Sequence, residues 1–231
     1  MWNIENERAT WSAGEVLAEV NLRDPQEGIS RIKIGGQEIA GRLLAPCDLT
    51  NETPLLEAYQ RGNDLVVTYE AAGDRTVRTQ IYWRVLPGLA EGVVGFEIIL
   101  SVQTDLLDSQ PLTTISTQLS EGAAYRGTET SEGELSFDRY FQGSSATVAT
   151  LVRGTEFSLL EQVHPTDYFG QVMLEDTGRV TIDRRVFPEG LEKGVIRRAR
   201  FQAFLMPRSG DVESAKQLFA AFDEAAPPLT T

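Results

Sequence analysis

The sequence predicts an all-β protein, a large antiparallel β-sandwich with a short C-terminal α-helix. In many segments apolar and polar residues alternate at every position, which is typical of strands that bury one face. Turn-forming residues separate these segments about every eight to twelve residues, as they do in sandwiches. The 231 residues are 41% hydrophobic and 24% charged, the composition of an ordinary globular protein. No linker rich in Pro, Ser or charge interrupts the chain, so we expect a single domain over residues 1–231.

The longest predicted element is a ribbon of two antiparallel strands within residues 77–104. Its first arm places Trp83 with other apolar residues on one face and Arg84 on the opposite face. Pairing Arg84 with Glu97 puts Trp83 opposite Ile98 and keeps the two apolar faces together. A shift by one residue would turn one apolar face to water, so we expect this register or one displaced by two residues. The polar face of the ribbon is the candidate ligand surface.

The strands predicted before the ribbon are Glu15–Leu22, Arg31–Ile34 and Gln37–Ile39. Gly35 and Gly36 allow the tight turn between the last two, since glycine accepts positive φ. We interpret Leu56–Tyr69 as a hairpin that turns near Gly62. The alternative is a two-turn helix that starts at Thr53, and the hairpin is preferred because so few turns would fit.

The strands predicted after the ribbon are Leu112–Leu119, Thr147–Arg153, Phe157–Val163, Gly170–Leu174, Arg179–Phe187 and Val195–Met206. The intervening segment Ser120–Glu134 is polar and rich in glycine, and it shows no periodicity. We therefore expect it to be a long loop at one end of the sandwich.

The C-terminal segment differs from the rest because its apolar residues recur at helical spacing. We expect an α-helix over about residues 211–226, with Asp211 capping its first turn and Pro227-Pro228 ending it. Phe219 and Phe222 lie on one side of this helix, which should dock on the sandwich.

Charge and residue counts exclude several classes of function. The formal net charge of −13 argues against a nucleic acid or an anionic membrane surface as the partner. No apolar run is long enough to span a bilayer, and the N-terminal residues lack a signal-peptide core. We therefore expect a cytoplasmic protein, unless an export signal has been removed. One cysteine and one histidine exclude a conventional zinc site, and no cofactor motif is present. We expect no cofactor, while an oxygen-only calcium site stays open.

His164 is the candidate catalytic acid or base because imidazole titrates near neutral pH. It follows an apolar strand, and Pro165 forces a turn directly after it. Glu161, Asp167 and Tyr168 are close enough in sequence to orient it. The alternative is that His164 caps the strand end by bonding to the backbone.

A second set of polar residues is predicted to bind a sugar. The candidate ligand-binding residues are Arg78, Gln80, Tyr82, Arg84 and Gln103 on the ribbon, Arg61 and Asp64 on the neighbouring hairpin, and Asp167 beside His164. An aromatic ring that stacks on the sugar, with planar polar groups for its hydroxyls, is typical of such sites. Glu97 on the same face is the candidate catalytic carboxylate. A cross-strand ion pair between Glu97 and Arg84 is the preferred alternative.

Three segments resemble the galactose mutarotase-like supersandwich superfamily. They are YWRV at 82–85, GFEIILSVQTDLL at 95–107 and EKGVIRRARFQAFLMPR at 192–208, and the resemblance extends over Glu15–Pro207. That superfamily contains aldose epimerases and the sandwich domains of glycoside hydrolases and polysaccharide lyases. The resemblance therefore implies a supersandwich with a carbohydrate as its partner.

Epimerases of that group use a histidine as acid and a glutamate as base on the sugar ring. Here only His164 matches the histidine, and the usual second histidine has no counterpart. The resemblance thus implies a carbohydrate-binding or carbohydrate-processing domain, and it does not decide whether the domain is catalytic. If it is, sugar epimerisation or glycoside processing is expected. A non-catalytic protein-interaction domain on the same scaffold is the alternative, and the sequence indicates no oligomeric state.

Overall fold

The structure is a computed structural model that describes residues 1–130, 135–142 and 147–226. The first nine strands are β1 (Trp2–Glu5), β2 (Arg8–Ala13), β3 (Val16–Asn21), β4 (Ile29–Ile34), β5 (Gln37–Ile39), β6 (Gly41–Pro46), β7 (Leu55–Arg61), β8 (Asp64–Tyr69) and β9 (Arg78–Leu86). The others are β10 (Val94–Gln103), β11 (Thr113–Leu119), β12 (Ala123–Glu129), β13 (Leu135–Arg139), β14 (Ala149–Arg153), β15 (Phe157–Val163), β16 (Gly170–Asp176), β17 (Arg179–Val186) and β18 (Ile196–Pro207). The helix α1 (Asp211–Asp223) follows them, and two short 3-10 helices occupy Pro25–Glu27 and Pro165–Asp167.

The strands form two large antiparallel sheets, which confirms the predicted fold class. The first sheet has the order β1-β2-β3-β4-β6-β11-β17-β16, with β5 paired to β4. The second has the order β13-β12-β14-β15-β18-β10-β9-β8-β7. One cluster of buried apolar side chains includes Leu43, Ile115 and Ile182 from the first sheet and Trp83, Phe96 and Phe201 from the second. The expectation of one domain over residues 1–231 stays a prediction.

The ribbon has the predicted register. Strands β9 and β10 pair Arg84 with Glu97 and Trp83 with Ile98 along a regular antiparallel ladder. Trp83 is fully buried in the core. Because each strand carries apolar residues at alternate positions, this pairing turns both apolar sets toward the first sheet, which a shift by one residue would not do.

The hairpin interpretation of Leu56–Tyr69 is confirmed, and the alternative helix is wrong. Strands β7 and β8 pair directly, with Arg61 opposite Asp64 at the turn. The strands predicted at Gln37–Ile39 and Phe157–Val163 have the same bounds in the structure, as β5 and β15. The other predicted strands are present with one or both ends displaced by one or two residues.

The long loop predicted at Ser120–Glu134 is wrong over residues 123–129. Residues 123–129 form β12, which pairs with β13 on one side and β14 on the other, and residues 131–134 lie outside the described residues. At Gly127 a Cβ atom would come within about 3.1 Å of Ala149 and Leu135, so the glycine permits close packing of the strands. Pairing with neighbouring strands on both edges stabilises β12 although its residues have a low strand propensity.

Strands β1, β2, β6 and β13 have no counterpart among the predicted strands. Strands β1 and β2 pair with each other, and their Trp2 and Trp11 rings form an edge-to-face pair with centroids 5.8 Å apart. Only short apolar stretches mark them in the sequence, and the core provides their stability.

Helix α1 is present and docks on the second sheet as predicted, with Phe222 buried and Phe219 packed on an apolar cluster. It ends at Asp223, and the predicted stop at Pro227-Pro228 lies outside the described residues. Gly210 and not Asp211 occupies the N-cap position. The Asp211 carboxylate nevertheless accepts from the first-turn amide of Val212 at 2.9 Å, as predicted, and it also binds other side chains. No helix within the described part of the chain is long and apolar enough to cross a membrane.

Candidate ligand-binding site

The candidate site lies on the outer face of the second sheet, which is turned away from the first sheet. Helix α1 covers this face over β13, β14 and β15, where Ala215 packs with Leu160 and Phe204. On β7 to β10 and β18 the same face carries polar side chains, among them most of the predicted ligand-binding residues. The alternation of strand residues and the register described above place them there.

A row of hydrogen-bonded side chains crosses this face from β8 to β15. Arg84 donates from Nε to Asp64 Oδ1 (2.6 Å) and from Nη1 to Glu97 Oε2 (2.8 Å). Gln202 donates to Glu97 Oε1 (2.8 Å), and Gln162 donates to Gln202 (3.0 Å). The hydrogen bond to Asp64 raises the pKa of Arg84. The predicted ion pair between Arg84 and Glu97 is therefore confirmed, and both groups are occupied by protein partners.

Tyr82 does not provide the exposed ring that the sequence predicted. Its residue exposure is 8%, and the ring clusters with Val66 and Ile99. The Arg61 guanidinium lies over the ring, 5.3 Å from its centroid. The Tyr82 hydroxyl donates to Gln80 Oε1 at 2.8 Å. Burial by neighbouring strands thus removes the ring face that a sugar would need.

His164 lies on the same side of the sheet but beneath the end of helix α1. Its ring meets the Phe222 ring edge-on with centroids 5.2 Å apart, and Nδ1 accepts from the Thr166 amide at 3.3 Å. Burial lowers the pKa of His164, and the nearby Arg200 lowers it further. The Nε2 atom is buried without a hydrogen-bond partner in the described structure. These contacts fit the interpretation of His164 as a strand-end cap.

The structure separates His164 from the ribbon residues. The His164 amide donates to Arg200 of β18, and β10 lies between β18 and β9. Three inter-strand steps correspond to about 14 Å between the backbones of His164 and Tyr82. Asp167 stays with His164, where it accepts from the Arg200 amide (3.0 Å) and Nε (3.2 Å).

The expectation that Glu161 and Tyr168 orient His164 is wrong. Glu161 points to the opposite face, where both it and Arg184 are fully buried and paired at 2.7 Å. Tyr168 packs against the core between the sheets. Desolvation raises the pKa of Glu161, although Arg184 opposes this shift. The pair joins the two sheets and does not reach the site.

Three of the predicted ligand-binding residues line one cavity on the outer face. This first cavity has a volume of about 240 Å³, and its walls include Arg78, Gln80, Ser101, Gln103, Leu56 and Ile196. The last two are exposed apolar side chains that flank the polar floor. Arg84, Tyr82, Glu97, Arg61 and Asp64 do not line it, and neither do His164 and Asp167.

Ser101 is a buried polar group of the first cavity. Its hydroxyl has no hydrogen-bond partner in the described structure. Two other lining residues are engaged with each other or with Glu57: Gln80 donates to Thr68 (3.1 Å), and Thr68 donates to Glu57 (3.1 Å). The sequence carried a signal for Ser101, which alternates in phase with Gln103 on the polar side of β10. Its lack of a partner could not be predicted.

The first cavity also has basic groups at its rim. Arg78 makes a bidentate ion pair with Glu70 at 3.0 and 3.1 Å. Arg198 is exposed, and the described residues provide no ion pair for it. No group of three or more His, Cys, Asp or Glu side chains within the described ranges could hold a metal ion.

No family model and no curated protein matches the sequence, whereas solved structures match its fold. A proposed aldose 1-epimerase from Klebsiella pneumoniae aligns over 97% of this chain and 87% of its own, with a TM-score of 0.53 and 8% identity. The galactose 1-epimerase from Lactobacillus acidophilus NCFM aligns over 87% of this chain and 94% of its own, with a TM-score of 0.47 and 9% identity. The galactosidase domain of AgaSK, an alpha-galactosidase-sucrose kinase, matches with a TM-score of 0.44 and 9% identity, and this chain spans 41% of it. The Klebsiella match shows that the chain has the galactose mutarotase-like sandwich fold.

Proposed function

We propose that the chain is a carbohydrate-binding domain that holds a sugar ring in the first cavity. The observation that carries this proposal is the buried, unpartnered hydroxyl of Ser101 at a cavity with an amide and apolar walls. A buried hydroxyl without a partner costs free energy that a ligand hydroxyl can recover. The fold, shared with a proposed aldose 1-epimerase, supports a sugar as the ligand.

The size and chemistry of the cavity support a single ring. Cavities for drug-sized ligands have volumes of about 300–1,000 Å³, and the first cavity has about 240 Å³. The Gln103 side chain makes no hydrogen bond to any described residue, and its amide can both donate and accept. Leu56 and Ile196 can contact the apolar C–H groups of a sugar.

Binding is supported better than catalysis. The acid–base candidate His164 is buried beneath helix α1, and neither it nor a carboxylate pair reaches the first cavity. Asp64 and Glu97 both bond to Arg84, so they are not free to act as a separate acid and nucleophile. We therefore propose binding as the function of this face.

The test is isothermal titration calorimetry against a panel of monosaccharides, with wild type, Ser101→Ala and a matched control. Loss of the hydroxyl should weaken binding by about tenfold or less, the value of one hydrogen bond. Ser116→Ala is the control, because Ser116 is a buried serine within a strand of the other sheet. Equal sugar affinities for wild type and Ser101→Ala would show that the Ser101 hydroxyl does not bind the sugar. Failure of every sugar to bind would favour a protein-interaction domain.

A further inference from the structure

We propose that the site accommodates two linked sugar units, with a second subsite beyond the first cavity. This inference rests on the proposed function and extends it. A second cavity of about 310 Å³ lies toward the end of the ribbon, and Arg78 and Gln103 line both cavities. Two cavities with two residues in common lie side by side, so they form one elongated depression.

The residues common to both cavities are suited to a ligand that crosses them. Glu70 holds the Arg78 guanidinium through two hydrogen bonds, so this side chain forms a fixed ridge between the cavities. The Gln103 side chain is partly exposed, and it makes no hydrogen bond within the described residues. Its amide carries two donors and an acceptor, so it can bond to oxygen atoms on both sides of the ridge.

The second cavity has its own groups for sugar hydroxyls. Arg75 lines it, and its Nη2 atom donates to the buried hydroxyls of Thr79 (2.7 Å) and Thr113 (3.5 Å). Its Nε atom is buried without a partner in the described structure. Glu70 and Asp105 also line the cavity and provide carboxylate acceptors. The second cavity thus repeats the pattern of the first, with an unsatisfied buried donor beside exposed polar groups.

The combined size of the two cavities fits more than one ring. Ser101 lines the first cavity and Asp105 lines the second, beyond the end of β10 at Gln103. The cavities have volumes of about 240 and 310 Å³, and each is of a size for one ring. A ligand that fills both therefore has two linked rings.

The experiment compares glucose with maltose and cellobiose, and galactose with lactose, by calorimetry on the full chain. We expect at least one disaccharide to bind about tenfold or more tightly than its monosaccharide, because its second ring makes contacts in the second cavity that the monosaccharide lacks. Ala72→Trp should fill the second cavity, because Ala72 lines it. This variant should reduce disaccharide affinity to that of the monosaccharide and leave monosaccharide affinity unchanged.

Asp74→Trp is the matched control, since Asp74 is exposed in the same turn and does not line the cavity. If Ala72→Trp does not fold, Ala71→Trp replaces it, because Ala71 lines the cavity and is exposed. Monosaccharide binding without any gain for disaccharides would overturn the second subsite and leave the proposed function intact. A disaccharide gain that survives both cavity-filling variants would also overturn it. If no sugar binds, the proposed function itself fails, and the second subsite fails with it.

Discussion

Substitution of Ser101 by alanine should stabilise the protein, which is unusual for a change at a buried position. Ser101 is 8% exposed, and its hydroxyl has no partner in the described structure. A buried hydroxyl without a hydrogen bond costs roughly 1–3 kcal/mol, and alanine removes that cost with little change in volume. We expect a gain of about 1 kcal/mol, which raises the Tm by about 2–4 °C in a chain of this size.

Ser158→Ala provides the opposite case. Ser158 is also buried, but its hydroxyl donates to the Asp211 carboxylate at 2.6 Å. A hydrogen bond to a charged group contributes roughly 1.5–3 kcal/mol, so this variant should lose stability by about that amount. Urea denaturation of both variants and the wild type measures the two changes under identical conditions.

Whether Ser101→Ala raises or lowers the stability shows whether the Ser101 hydroxyl lacks a partner in the free protein. A loss of stability comparable with that of Ser158→Ala would mean that the Ser101 hydroxyl is satisfied in the free protein, for example by an ordered water. The main support for the sugar site would then be lost. A gain in stability together with weaker sugar binding would show a hydroxyl that is kept for its ligand.

Three further predictions concern charged groups. Asp211→Asn should lower the free energy of unfolding, measured in urea, by roughly 1.5–3 kcal/mol, because the Asp211 carboxylate binds Arg153, Arg208 and Ser158. Burial raises the pKa of Asp211, but these hydrogen bonds have the larger effect and lower the pKa. An unchanged urea midpoint would contradict this role. Arg184→Met should lower the free energy of unfolding by about 3–5 kcal/mol, because it leaves the buried Glu161 carboxylate unpaired, and adding Glu161→Met should restore most of that stability. A double variant as unstable as Arg184→Met alone would argue against the pairing of the two residues. Burial lowers the pKa of His164 below 6.5, so the folded state binds fewer protons there than the unfolded state, and stability should fall as the pH drops below about 6.5. Denaturation from about pH 8 to about pH 5 should show a smaller loss in His164→Asn, and parallel curves would refute the assignment.

The elements that could be predicted are those whose own residues determine them. The register of β9 and β10 follows from their alternating side chains, since any odd shift would expose Trp83 or Ile98. Strand β12 could not be predicted, because its stability depends on pairing with β13 and β14, and its own residues do not encode those partners.

The residues of the candidate site also divide into those that could be placed from the sequence and those that could not. Arg78, Gln80 and Gln103 could be placed on one polar face from alternation alone. Leu56 and Ile196 reach the cavity only because the sheet order brings β7 and β18 to the two sides of the ribbon. The ion pairs of Arg84 and the burial of Tyr82 also depend on neighbouring strands, so the sequence could not separate the occupied residues from the free ones.

The position of helix α1 has a consequence for the shape of any polymer that binds. The helix forms a raised wall over β13 to β15 and packs on Phe204 of β18, and the strip from β10 to β7 beside it is three inter-strand steps, about 14 Å, wide. A chain that grew across the strands from the first cavity toward β15 would collide with that wall. Growth along the strand direction, past Gln103 toward Asp105, meets the second cavity instead. The helix therefore imposes a direction on the ligand, although it contributes nothing to the first cavity.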